Sequence, residues 1–222
     1  MIPACLALVL VTASNVAVAR DRGSRTRDAE APTAESVDGW SHFEAFEKTF
    51  ISEDGRVIDH TSDARSTSEG QAYGLFFALV ADDRALFDRM LTWTEDNLAA
   101  GDLRQNLPGW LWGKDEDGSW RLLDSNSAAD ADLWLIYTLL EAGRLWDEPR
   151  FVELAGILAA RVVQTEVVEL PGLGPMLLPG PCGFVLDEST WRLNPSYMPL
   201  PVLRRLARAY RDGPWKAMAD NT

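Results

Sequence analysis

Thr67-Ser68-Glu69-Gly70-Gln71-Ala72-Tyr73-Gly74-Leu75-Phe76-Phe77-Ala78-Leu79-Val80 is the stretch that decides how this chain folds. Its large apolar residues Tyr73, Phe76, Phe77 and Val80 recur at three- and four-residue steps, the spacing that gathers them on one side of an α-helix. The same stretch sets a carboxylate, Glu69, at the mouth of that helix among small residues. Asp124-Ser125-Asn126-Ser127-Ala128-Ala129-Asp130-Ala131-Asp132 makes a second such mouth, leading into Leu133, Trp134, Ile136, Tyr137, Leu139 and Leu140. A helix apolar on most of its circumference is internal. Two carboxylate-bearing helix mouths predict one acidic cleft.

Outward from these two segments the helical spacing continues. Trp40, Phe43, Phe46 and Phe50 mark a first helix, and Phe87, Met90, Leu91 and Leu98 a third. A fourth is expected over 127–146, a fifth over 150–163, a sixth from near Ser196 to Tyr210 with Pro199 and Pro201 in its first turn, and a seventh from Trp215. Between the third and fourth, 101–126 carries Pro108, Gly109, Gly113 and Gly118 and reads as a long irregular stretch. The prolines and glycines of 169–184 exclude a helix and permit at most a short hairpin around Met176-Leu177-Leu178. Six or seven helices without alternating strands predict an all-α fold.

The first nineteen residues hold an apolar run, Leu6 to Val11, and then Ala17-Val18-Ala19, a small-x-small pattern that reads as a signal peptide cut before Arg20. A periplasmic or secreted chain is expected. The basic start usual for such a signal is missing, and a membrane anchor is the weaker reading because the run is too short to span a bilayer. Residues 20–38 are charged and small and predict a disordered leader, with 39–222 as one domain. Cleavage removes Cys5 and leaves Cys182 alone, so the mature chain has no internal disulfide.

The formal charge of −13 disfavours nucleic acid or an anionic membrane as partner. A neutral ligand fits it better. Nine tryptophans are present, and Trp110, Trp112, Trp120 and Trp191 fall in Gly-, Pro- and Asp-rich segments, where flat faces suit the C–H side of a sugar ring as well as a core. His42 and His60 show no ligand spacing to each other or to Cys182, so neither a metal nor a cofactor is expected.

Ser66-Thr67-Ser68-Glu69 satisfies the S-x-x-E capping box, in which Glu69 only starts a helix. Against that, Gly70 and Gly74 are poor helix residues and leave bare backbone where a ligand can approach. The helix dipole lowers the pKa of Glu69, and a proton donor there needs burial and a neighbouring carboxylate to outweigh it. Asp130 and Asp132 both suit a helix cap. Their spacing points them to different sides, so one faces the cavity of Glu69, and Asp130 is chosen.

Several segments together resemble glycoside hydrolase family 8 from about Trp40 to Trp215. They are Phe50-Ile51-Ser52 through Gly55-Arg56-Val57-Ile58-Asp59, Thr67-Ser68-Glu69-Gly70-Gln71, Trp110-Leu111-Trp112-Gly113, Asp124-Ser125-Asn126-Ser127, Leu140-Glu141-Ala142-Gly143-Arg144-Leu145-Trp146 and Trp191-Arg192-Leu193-Asn194-Pro195-Ser196-Tyr197. Within the family the likeness is to the exported endoglucanases that accompany bacterial cellulose synthase. It implies an (α/α)6 toroid, of which this chain holds six to seven of twelve helices. It also implies inverting hydrolysis of β-1,4-glucan, with Glu69 as general acid and Asp130 beside the sugar at the cleavage point. Trp112, Trp191, Arg192 and Tyr197 are the expected sugar contacts. The intact enzyme is expected to be a monomer, associated with the synthase machinery and free of cofactors.

Two departures accompany the resemblance. Ala129 stands where the family's A-[ST]-D-[AG]-D pattern has a hydroxyl, a loss of at most one hydrogen bond. No Ser-Tyr-Asp-Ala-x-Arg segment, which carries the family's base, follows Tyr197. Inversion needs that second carboxylate, so the resemblance implies hydrolysis by the intact enzyme and gives no ground to expect it of this chain alone. The rival reading is a non-catalytic glycan-binding or scaffold protein of the same fold. A polysaccharide lyase is a third, disfavoured by few basic residues in the marked segments. Cellulose, xylan and chitosan all fall within the family's range.

Overall fold

The helix that carries Glu69 begins where a strand ends. In the computed structural model, which describes residues 41–222, β1 (Ser66–Thr67) runs directly into α2 (Ser68–Val80). Thr67 is the cap: its backbone is extended and its hydroxyl accepts from the Gly70 N–H at 3.1 Å. Ser66 is unavailable for that task, because its hydroxyl donates to the Val57 carbonyl and accepts from Arg56 Nε at 2.7 Å. The cap therefore sits one residue later than the S-x-x-E spacing suggests. Glu69 falls too early in the helix to close a capping box.

Before α2 come α1 (Ser41–Phe50) and a loop, and after it α3 (Arg84–Leu98). Trp40 as the first apolar position of the first helix, the signal peptide at 1–19 and the leader at 20–38 lie outside the described residues. Phe43, Phe46 and Phe50 form a ladder along α1, with ring centroids 6.4 and 5.2 Å apart. One side chain ties the loop to both α2 and α3. Gln71 is 0% exposed; its Oε1 accepts from the Val57 N–H at 2.6 Å, and its Nε2 donates to the Gly55 carbonyl at 3.2 Å and to Thr94 Oγ1 on α3 at 3.0 Å. Gln71→Leu preserves the volume but strands buried backbone groups, and is expected to lower stability by about 2 kcal/mol in denaturant titration.

The stretch 101–126 is not irregular. β2 (Gly109–Lys114) and β3 (Trp120–Ser127) pair antiparallel, and β1 adds to β2 with Ser66 opposite Trp112, giving a three-stranded sheet. The glycines read as breakers make this pairing possible. A Cβ at Gly109 would lie 2.9 Å from the Asp124 carbonyl, and one at Gly113 would lie 3.0 Å from Arg65 and Leu123. Gly118, at φ +84°, turns the hairpin.

α4 (Ala129–Leu145) and α5 (Pro149–Thr165) follow, close to the expected spans, with Pro149 in the first turn of α5. The two helices cross tightly at Gly143, where a Cβ would stand 2.5 Å from Val152 Cγ2. α4 also packs on α2 and on α6 (Leu200–Ala209), and Leu133, Ile136 and Leu139 are 0% exposed. It is the internal helix that its composition predicts.

The expected hairpin near Met176 is β4 (Val167–Leu170) with β5 (Gly174–Leu177), and a second small one pairs β6 (Val185–Asp187) with β7 (Thr190–Trp191). The sixth helix is divided: a 3-10 turn, Pro195–Tyr197, precedes α6, and α7 is Trp215–Asn221. Pro199 forces the break by holding Met198 out of the helical region. The described residues thus carry seven α-helices around a helical core, as the all-α reading expects, with seven short strands that it does not foresee. No described helix is long and apolar enough to cross a membrane.

Candidate active site

Four titratable side chains from three elements converge. Glu69 and Tyr73 lie one turn apart on α2, Asp130 is in the first turn of α4, and Tyr197 closes the 3-10 turn before α6. Tyr73 lies close to Asp130, and the charges of Asp130 and Glu69 both act on Tyr73 and on Tyr197. The i, i+4 step from Glu69 to Tyr73 is what brings these two to one face. That signal was available in the sequence, although Tyr73 is not among the expected site residues.

Burial is the largest influence on every member. It raises Glu69 above the ordinary carboxylate range, against opposing hydrogen bonds that include one from Ser68 Oγ at 3.3 Å. Burial first and the Glu69 charge second push Asp130 up to about 6. Tyr197 is pushed up to about 12, by burial and then by the Asp130 and Glu69 charges. Asp130 therefore keeps its proton to higher pH than a solvated aspartate does. The desolvation that the sequence reading requires to offset the helix dipole is present at Glu69.

The raised carboxyls fix a pH dependence. A carboxyl whose folded pKa exceeds its unfolded value stabilises the fold below the unfolded pKa and loses that contribution as pH rises through the folded pKa. For Asp130 the window runs from 3.8 to about 6. Asp130→Asn is expected to flatten thermal stability across that window and to stabilise the chain by about 2 kcal/mol at pH 7. Melting curves at pH 4 and pH 7 check the sign.

The other expected contacts do not touch the two carboxyls. Trp112 stacks on Trp120 at 5.0 Å, meets the edge of Trp93 at 5.3 Å and carries the Arg56 guanidinium 4.5 Å from its centroid. Trp191 is partly buried beside Leu170, Pro171 and Leu173 in a separate groove of about 380 Å³. Arg192 is exposed, and its backbone N–H donates to the Phe184 carbonyl at 2.8 Å. No described contact joins these three to the carboxyl pair.

An apolar groove of about 430 Å³, walled by Phe43, Phe46, Val57, Gly70 and Phe77, meets the site at Tyr73. Gly74 has a packing reason of its own, since a Cβ there would stand 2.4 Å from Met90 Cε and 3.2 Å from Val57. The bare backbone read as access for a ligand is partly the seat of α3 on α2. Among the described residues no group of three His, Cys, Asp or Glu side chains is arranged to hold a metal ion.

Comparison with known proteins agrees with this architecture. The family described as "Glycosyl hydrolases family 8" matches residues 30–222. An endoglucanase of Xanthomonas axonopodis pv. citri (strain 306) is 55% identical over 185 residues, which make up 82% of this chain and 48% of that protein. An endoglucanase of Escherichia coli (strain K12) is 52% identical over 183 residues, 82% of this chain and 49% of that protein. Among solved structures, the endo-1,4-D-glucanase from Vibrio fischeri ES114 aligns with a TM-score of 0.79 at 49% identity, covering 82% of this chain and 53% of that one. The chain spans about half the length of the curated relatives it matches.

Proposed function

The chain belongs to glycosyl hydrolase family 8, and on that premise we propose that it is the part of an endo-β-1,4-glucanase that supplies the proton donor. The observation that carries this is the two half-buried carboxyls, Glu69 and Asp130, whose charges both act on Tyr73 and Tyr197. A carboxyl whose hold on its proton burial strengthens is what protonation of a glycosidic oxygen requires.

In this reading the Glu69 O–H donates to the oxygen between two glucose units as the C1–O bond breaks. Asp130, close to Tyr73, lies beside the ring that develops positive charge. Water then attacks C1 from the opposite face, which inverts the anomeric centre and needs a base some 6.5–9.5 Å from the acid. No described residue is assigned that base. The relatives that support the substrate are those named endoglucanase, and the apolar groove supports a neutral chain of sugars over an anionic one. Export to the periplasm or beyond and association with cellulose synthesis complete the proposal, supported by the Ala17-Val18-Ala19 pattern and by the family segments.

Calorimetry with cellohexaose, xylohexaose and chitohexaose tests the substrate, and release of reducing ends tests turnover. Binding of cellohexaose is expected, with weaker response to the other two. A preference for xylohexaose or chitohexaose would move the substrate within the family. Binding without reducing ends from a chain completed with the second half of a relative would favour the non-catalytic reading.

A further inference from the structure

The second aspartate at the mouth of α4 does not face the site or the solvent. Asp132 is 1% exposed, and Glu166, the residue on which α5 ends, is 0% exposed. The Ser127 hydroxyl donates to Glu166 Oε1 at 2.5 Å. Glu166 Oε2 and both Asp132 oxygens then have no donor, although the two carboxyls face each other within hydrogen-bonding reach. Two ionised carboxylates cannot bond, because neither carries a hydrogen.

The surroundings offer no countercharge. Asp130 faces both groups from α4, Ser127 from the end of β3, and the small gap beside Asp132 is bordered by Ser68 of α2, Thr94 of α3 and Pro108. Among the described residues no lysine or arginine acts on either carboxyl. A buried acidic pair without a cation reaches a low energy by keeping one proton between its members.

We infer that Asp132 and Glu166 share one proton, in a carboxyl–carboxylate bridge that ties the end of α5 to the first turn of α4 and so sets the position of Asp130. The bond runs from protonated Asp132 to the Glu166 carboxylate, which the Ser127 hydroxyl also serves, and the pair keeps a single negative charge. Burial agrees with it, pushing Glu166 up to about 7 and Asp132 well above its ordinary range. The junction it braces is otherwise joined by backbone: the Leu178 N–H donates to the Glu166 carbonyl at 2.8 Å and the Ala129 N–H to the Pro179 carbonyl at 3.0 Å. Ser68, whose hydroxyl donates to Glu69, borders the same gap as Asp132. The bridge thus stands behind both site carboxyls, and its members are positioning residues. Their effect on Asp130 rests on the proposed site; the shared proton does not.

Carboxyl-selective carbon NMR on the full 222-residue chain tests both parts. In the wild type the Asp132 and Glu166 signals are expected to move together in one step near neutral pH. Asp132→Asn keeps a donor and keeps the pair's charge, so Glu166 keeps its partners and the Asp130 signal keeps its place. Asp132→Ala removes the donor and shifts the Asp130 signal. Independent titration of Asp132 and Glu166 in the ordinary carboxylate range would overturn the shared proton. An Asp130 signal that responds equally to Asn and Ala would overturn the positioning role. Should the variants not fold, the wild-type titration alone decides the first part, and a Ser127→Ala chain, which frees Glu166 Oε1, is read in place of Asp132→Ala for the second. Loss of cellohexaose binding with the joint step intact would instead count against the proposed function.

Discussion

Glu69→Gln, in a chain completed with the second half of a family relative, is expected to lower cellulose hydrolysis by about 10²–10⁴-fold, the range a positioned general acid contributes. Gln has the volume of Glu and keeps the hydrogen bond from Ser68 Oγ, but it holds no proton to give. Binding of cello-oligosaccharide is expected to persist. The loss should therefore fall on kcat, since the interaction removed is one made only as the bond breaks. An equal loss in KM would mean that Glu69 holds the sugar instead of protonating it.

Phe87→Ala is the second large effect, and it falls on stability. Phe87 is 0% exposed and meets the edges of Trp146 at 4.9 Å and Phe151 at 5.3 Å, so one ring locks α3 against the end of α4 and the start of α5. Truncation leaves a cavity between three helices that are fixed by other contacts and cannot collapse. A cost of about 3–5 kcal/mol is expected, a large part of the 5–15 kcal/mol typical of a whole domain. Chemical denaturation should show the midpoint fall with an unchanged slope. A change below about 1 kcal/mol would show that the helices close over the gap.

The sequence was most legible where one periodicity dominates. The apolar spacing placed α4 to within two residues of its bounds and set Tyr73, Phe76, Phe77 and Val80 on α2. It was least legible where a residue serves a partner distant in the chain. The glycines at 109 and 113 look like breakers to a local reading, yet they admit the side chains of a facing strand. Gln71 reads as one more small polar residue beside Glu69, and its four partners lie up to 23 positions away. The capping box failed for the same reason, because Ser66 is taken by Arg56 and Val57.

The site divides along that line too. Glu69, Asp130 and Tyr197 come together because each stands at the start or end of an element whose boundaries local patterns reveal. Trp112 does not join them: its faces are occupied by Trp93, Trp120 and Arg56, a cluster no spacing rule announces. Glu166 had no signal at all. A single acidic residue after a helix is usually a solvated one, and only the fold turns it towards Asp132.

The proton donor itself is tested most directly by changing the leaving group. On an aryl cello-oligoside whose phenol departs without protonation, Glu69→Gln in the completed chain should turn over at close to the wild-type rate, while its rate on cello-oligosaccharide falls by about 10²–10⁴-fold. Equal losses on the two substrates would contradict the account, because they would show that Glu69 acts on something other than the departing oxygen.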